Sequence, residues 1–272
     1  MNTTKTMETP LWSPLADAVA ASNMSAFMGL VNERHGLALA GYDALHAWSV
    51  ENPALFWDAV WDVAGVIGDK GGTVLADPDK MPGARFFPDA RLNFAENLLR
   101  GEGADVALLF NNEGETREPV TCAALARDVA RFAAVLKSWG VGEGDRVAAF
   151  MPNCPETIVA MLAAASIGAV FSSCSPDFGA KGVLDRFGQI EPTVLIAVEG
   201  YYYAGKSLDI RDKVTAVAAQ LPTVKRVVVV PYVNEAPDIA GIEKATLWAD
   251  YLGSGPVPDL EFTRMPFNDP LY

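Results

Sequence analysis

Histidine is nearly missing from this chain: His35 and His46 are the only two in 272 residues. Both fall in a helical-looking stretch, so the commonest general base and metal ligand is absent from the remainder. Cysteine is scarce as well. Cys122, Cys154 and Cys174 lack close metal-ligand spacing and read as small buried residues of a reducing compartment. Positive charge is in deficit, with 21 Lys and Arg against 34 Asp and Glu and a net charge of −13. That balance disfavours a nucleic-acid or anionic-membrane partner at long range. Screening within about 8 Å at physiological salt still leaves a local phosphate contact open. There is no long apolar run either. The longest, Ile158–Phe171, falls short of the roughly 20 residues a membrane span needs. The first ten residues carry no basic-then-apolar signal pattern, so a cytoplasmic protein is expected. Two motifs are also absent, the G-x-G-x-x-G dinucleotide fingerprint and the G-x-S-x-G nucleophile elbow. Ser172, Ser173 and Ser175 cluster at a predicted strand end but have no histidine nearby to act as base. No self-contained active site emerges, and no catalytic or metal-ligating residue is assigned.

What is present is a folding pattern. Half the residues are hydrophobic and a fifth are charged, enough for one large or about two ordinary domains. From Ser25 to Gly68 the apolar spacing is helical. Asn52 and Pro53 make a cap and first turn for a helix carrying Phe56, Trp57, Val60, Trp61 and Ala64 on one face, most simply core. A linker with three prolines spans residues 77–89. Asn93 is placed to cap a short helix to Leu99. Residues 1–100 therefore read as a helical N-terminal arm and linker, and 101–272 as an α/β region.

In the α/β region, Val106–Phe110 and Arg117–Val120 predict a hairpin around Gly114. Thr121 starts a helix closed by Gly140. Strands are then predicted at Asp145–Phe150, Gly168–Ser173, Thr193–Val198 and Lys225–Val230, separated by helices at Thr157–Ile167, at about Gly179–Ile190, and from Ser207 to about Gln220. Asp177 is a candidate cap for the second of these helices. Alternating strands and helices of this length imply parallel βαβ units, hence an α/β fold with a mostly parallel sheet and flanking helices. In such sheets ligands bind beyond the carboxyl ends of the strands. Past Pro231 the pattern weakens.

Gly200-Tyr-Tyr-Tyr-Ala-Gly-Lys206-Ser207 satisfies the phosphate-loop pattern G-x-x-x-x-G-K-[ST] between a predicted strand and a predicted helix. A nucleoside-triphosphatase or kinase built on Gly200–Ser207 is one reading. Against it, three tyrosines crowd a loop that must turn its amides inward, and the next strand ends in Pro231 rather than in a carboxylate for Mg²⁺. A milder reading places Lys206 near a helix N-terminus with Arg211 and Lys213 close in sequence, a tyrosine ring stacking on a purine while the ammonium meets a phosphate. The plainest alternative is a solvated helix face, and a non-catalytic α/β interaction module also fits these residues.

Several stretches resemble the adenylate-forming acyl-CoA synthetases, and within them the acetoacetate-activating branch. They are Gly144–Val170, Ser172-Ser-Cys-Ser-Pro-Asp-Phe-Gly179 continuing through Asp185–Pro192, Phe86–Leu99, and the Trp48–Trp61 arm; the arm and linker over residues 1–100 are similar to the acetyl-CoA synthetase N-terminus. The resemblance implies coupling of acetoacetate to ATP through an acyl-adenylate, with release of pyrophosphate and transfer to CoA. ATP, CoA and Mg²⁺ are the cofactors of such an enzyme. It also implies that the turn Tyr203-Ala204-Gly205-Lys206 matches one that meets the phosphorylated end of CoA. Lys206 keeps the last basic residue of that turn, whereas Tyr203 replaces an arginine and offers stacking instead. Family members run to roughly twice this length or more, and the phosphate-gripping loop and catalytic lysine would follow Tyr272. The resemblance therefore implies an N-terminal portion, inactive alone, with a sheet edge and apolar surface open to self-association.

Overall fold

A computed structural model describes residues 10–113, 117–253 and 255–272. The chain divides into two compact units. The first runs to Val66 and takes in Val74–Ala84; the second comprises Ile67–Thr73 and Arg85–Tyr272.

The first unit is helical: α1 (Ala16–Ala20), α2 (Asn23–His35), α3 (Tyr42–Glu51) and α4 (Pro53–Val63). Ser22 caps α2 by accepting the Ser25 amide, and Gly36 ends it in the left-handed conformation. Val31, Leu45, Trp48 and Ala59 form a small core, and Phe56 meets Phe27 edge-on at 5.7 Å. Arg34 of α2 joins Asp58 and Asp62 of α4 at 3.3 and 3.0 Å. Two expectations need correction. Pro53 does open α4, but the Asn52 side chain does not cap it; its amide instead donates to the Trp48 carbonyl at 3.1 Å. The predicted aromatic face of α4 splits, with Trp61 buried and Phe56 half-buried but Trp57 41 % exposed, because the adjacent Phe56 and Trp57 point about 100° apart around the helix.

The second unit carries the sheet. Asn93 caps the short helix α5 (Phe94–Leu98) as expected, accepting the Glu96 amide. β1 (Val106–Leu108) pairs antiparallel with β2 (Val120–Thr121). Gly114, the predicted tip between them, lies outside the described residues. Thr121 caps α6 (Cys122–Ser138) by accepting the Ala124 amide. Gly140, at φ +78°, ends that helix, with Val141 N–H returning to the Leu136 carbonyl at 3.0 Å.

The units that follow are β3 (Arg146–Phe150), α7 (Pro155–Ser166), β4 (Val170–Cys174), α8 (Ala180–Ile190) and β5 (Val194–Val198). After them come β6 (Gly200–Tyr203), β7 (Lys206–Asp209), α9 (Arg211–Ala219), β8 (Arg226–Val230) and β9 (Ala245–Leu247). Five strands form one parallel sheet in the order β9-β8-β5-β3-β4. Every residue of β5 is buried, as are the last four of β3 and of β8. Unbroken apolar strands of this kind belong to a sheet covered on both faces. Helix α6 packs on α7, and α8 on α9. The fold class expected from the sequence is the one observed. The strand β9 was not foreseen: it is short, half-buried, and pairs with β8 from Val227↔Ala245 to Val229↔Leu247.

Candidate functional site

The Gly200–Ser207 motif is not a phosphate loop. Its two halves are the strands β6 and β7, paired antiparallel from Gly200↔Asp209 to Tyr203↔Lys206. Only Ala204 and Gly205 lie between them, at φ +51° and +72°. Two consecutive positive φ values make the tight two-residue hairpin turn whose twist suits the flanking strands. Lys206 therefore stands in a strand, and helix α9 begins at Arg211. This corrects both the phosphate-loop reading and the placing of Lys206 at a helix N-terminus. The cause is local, since tyrosines favour an extended, half-buried chain and Ala-Gly supplies the turn.

Distance from the turn then sorts the tyrosines. Tyr201 and Tyr202 are half-buried against the core, whereas Tyr203 is 64 % exposed. The Tyr202 ring lies 6.0 Å from that of Tyr232. Tyr203 and Lys206 are directly opposed across the turn, so the exposed ring and ammonium share one face. At the tip, the carboxylate of Glu113 accepts the Ala204 amide at 3.2 Å and the Gly205 amide at 2.6 Å. The four residues singled out in the sequence, Tyr203, Ala204, Gly205 and Lys206, thus form one exposed corner combining a ring, two amides held by Glu113 and a cation.

The other two basic residues do not join them. Arg211 is bound to Asp209 at 2.6 to 3.1 Å and reaches the Asp238 carbonyl at 3.3 Å. That ion pair holds the Asp209 carboxyl below its ordinary range. Lys213 is half-buried and its ammonium already has partners. Its ammonium donates to the Pro176 carbonyl at 2.9 Å and lies 5.6 Å and 6.0 Å from the centres of the Phe150 and Tyr201 rings. Burial lowers its pKa, and the charge of Asp177 opposes that shift. Asp177 does not cap α8; the cap position is Gly179, and no side chain caps the helix there.

A second structure at the strand ends went unseen in the sequence. Glu199, directly after β5, is 1 % exposed, and its carboxylate accepts the amides of Tyr232, Val233 and Asn234 at 2.9, 2.6 and 2.7 Å. This fixes the loop after β8. The Tyr232 hydroxyl in turn accepts from the Asn112 side chain at 3.1 Å, and the Arg117 guanidinium lies over the Phe110 and Tyr232 rings while pairing with Glu156 at 2.7 Å. Beside Glu156, burial and then that negative charge push the Cys154 thiol up to about 12. Cys154 and Cys174 are buried and Cys122 is partly exposed. His35 and His46 lie in α2 and α3. Among the described residues no group of three His, Cys, Asp or Glu is placed to hold a metal ion, and no helix is long and apolar enough to cross a membrane.

Comparison with known proteins agrees with this architecture. The family model described as AMP-binding enzyme matches residues 95–259, which include the whole sheet and the hairpin. The chain belongs to the AMP-binding enzyme family. A second family model, the acetyl-coenzyme A synthetase N-terminus, matches residues 42–98. The acetoacetyl-coenzyme A synthetase of Rhizobium meliloti (strain 1021) is 48 % identical over 268 residues, covering 97 % of this chain and 41 % of that protein. The acetoacetyl-CoA synthetase of Xenopus tropicalis is 44 % identical, covering 96 % and 40 %. Among solved structures, the acetoacetyl-CoA synthetase from Streptomyces lividans superposes with a TM-score of 0.88 at 41 % identity, covering 97 % of this chain and 41 % of that one. The chain thus spans about two-fifths of the length of the relatives it matches. Within the family it carries the parallel sheet and the hairpin at its strand ends.

Proposed function

We propose that this chain supplies the N-terminal portion of an ATP-dependent acetoacetate–CoA ligase. The complete enzyme joins acetoacetate and ATP into an acyl-adenylate, releases pyrophosphate, and transfers the acyl group to the thiol of CoA. The observation that supports this most is the 48 % identity to the Rhizobium meliloti protein across nearly the whole of this chain. The substrates are small molecules, and the protein acts in the cytoplasm.

Within that reading, Tyr203, Ala204, Gly205 and Lys206 receive the phosphate-bearing end of CoA. The ammonium meets the phosphate, and the Tyr203 ring stacks on a base. No described residue is assigned to ATP or Mg²⁺, because the lysine motif is a hairpin and no cluster of three metal ligands is present among the described residues. One exposed lysine–phosphate contact is worth about 0.2–1 kcal/mol, so this chain alone should hold CoA no better than about millimolar and form no thioester. Strands β9 and β4 are the two edges of the sheet, and the Phe171 amide of β4 is already taken by the Leu271 carbonyl at 3.0 Å; we infer that the isolated chain self-associates through the edge and apolar surface left open. A clean monomer by light scattering at high concentration contradicts that part.

The decisive experiment is transplantation. The matching part of the Rhizobium meliloti protein is replaced by this chain, and thioester formation from acetoacetate, ATP and CoA is measured. Activity is expected. In the hybrid, Lys206→Ala should raise KM for CoA several-fold, about 5-fold at most, and leave acetoacetate-dependent pyrophosphate exchange unchanged. A folded but inactive hybrid overturns the assignment.

A further inference from the structure

The tip of the β6–β7 hairpin already holds an anion. Each oxygen of the Glu113 carboxylate accepts one of the two consecutive turn amides, Ala204 at 3.2 Å and Gly205 at 2.6 Å. Successive amides converging on one point make an anion-binding concavity, and here both turn residues have positive φ. Glu113 comes from a segment 91 residues earlier in the chain and is itself exposed, so burial does not force its charge onto the tip. Its neighbour Asn112 is anchored to the Tyr232 hydroxyl, which brings the carboxylate within reach. Among the described residues Lys206 makes no ion pair.

We propose that Glu113 is an internal stand-in for a ligand phosphate, a latch that occupies the tip amides until a phosphate-bearing ligand displaces it. This rests on the reading that the tip receives the phosphorylated end of CoA, and it adds a competition between that group and the protein's own carboxylate. Ligand binding then releases the Glu113 carboxylate from the hairpin. Removing the carboxylate strengthens anion binding, where loss of an ordinary ligand contact would weaken it.

The test follows the backbone amide resonances of Ala204 and Gly205 in the full chain, in the native sequence, Glu113→Ala and Glu113→Gln, during titration with inorganic phosphate and separately with CoA. The latch requires both resonances to move in Glu113→Ala, and phosphate to perturb those same amides with about 5-fold tighter binding than in the native chain. Glu113→Gln should lie between, since a neutral amide offers one acceptor oxygen. Unmoved resonances in Glu113→Ala overturn the proposal, and so does phosphate binding that is equal or weaker there. Phosphate tightening without any CoA response leaves the latch standing and removes the coenzyme reading of the tip.

Discussion

The carboxylate of Glu199 meets the amide nitrogen of Tyr232 at 2.9 Å, where the central strands β5 and β8 end side by side. The same carboxylate takes the next two amides, so one buried charge fixes the direction of the loop that presents the Tyr232 ring to the hairpin. Glu199→Ala leaves three amides without their acceptor, two of them partly buried and one fully buried. A loss of roughly 3 kcal/mol or more is expected in urea unfolding. An unchanged midpoint contradicts that role.

The hairpin turn makes a second prediction. Ala204 pays for its left-handed conformation, which asparagine and glycine tolerate better. Ala204→Asn should stabilise the chain by about 0.5–1 kcal/mol, while Gly205→Ala should cost about 1 kcal/mol. Equal thermal midpoints for both variants and the native chain would remove the turn assignment.

Asn93 is 1 % exposed, and its amide donates to the carbonyls of Ala165, Ser166 and Thr263 at 2.9, 3.2 and 2.8 Å. It ties α5 to the end of α7 and to the segment near Thr263. Asn93→Ala should cost about 1–3 kcal/mol. Asn93→Asp should cost more, because a carboxylate then faces three carbonyl oxygens. Denaturant midpoints rank the pair, and the reverse order would show that the donor role is wrong.

Cys154 gives a pH prediction. Its thiol is raised from an ordinary 9.0 to about 12, by burial first and then by the Glu156 charge. A raised pKa means the unfolded chain ionises first, so this contribution to stability is complete below pH 9 and declines as pH rises towards 12. Comparing native and Cys154→Ser unfolding between pH 8 and 11 isolates it. The native chain should lose up to about 1.4 kcal/mol more per pH unit above 9. A difference independent of pH would contradict the buried, neutral thiol.

How far the sequence reads ahead depends on where each element draws its stability. β3, β5 and β8 are legible because both sheet faces are covered, and their apolar runs follow from that alone. The Thr121 and Asn93 caps are legible because capping is decided within four residues. β9 is a strand only because β8 offers it an edge, which no local pattern records. Glu199 draws its partners from 33 to 35 residues away, so an acidic residue after a strand gives no sign of burial. The hairpin was hidden for a different reason. Its letters satisfy a phosphate-loop string, and only the pairing of Tyr203 with Lys206 separates the two geometries.

The most direct measurement is acetoacetate-dependent exchange of pyrophosphate into ATP by the hybrid in which this chain replaces the matching part of the Rhizobium meliloti protein. That exchange reports the adenylation step before CoA enters. The expected result is exchange that requires acetoacetate in the hybrid and none with this chain alone. A folded hybrid with no exchange, or exchange by this chain unaided, would contradict the account.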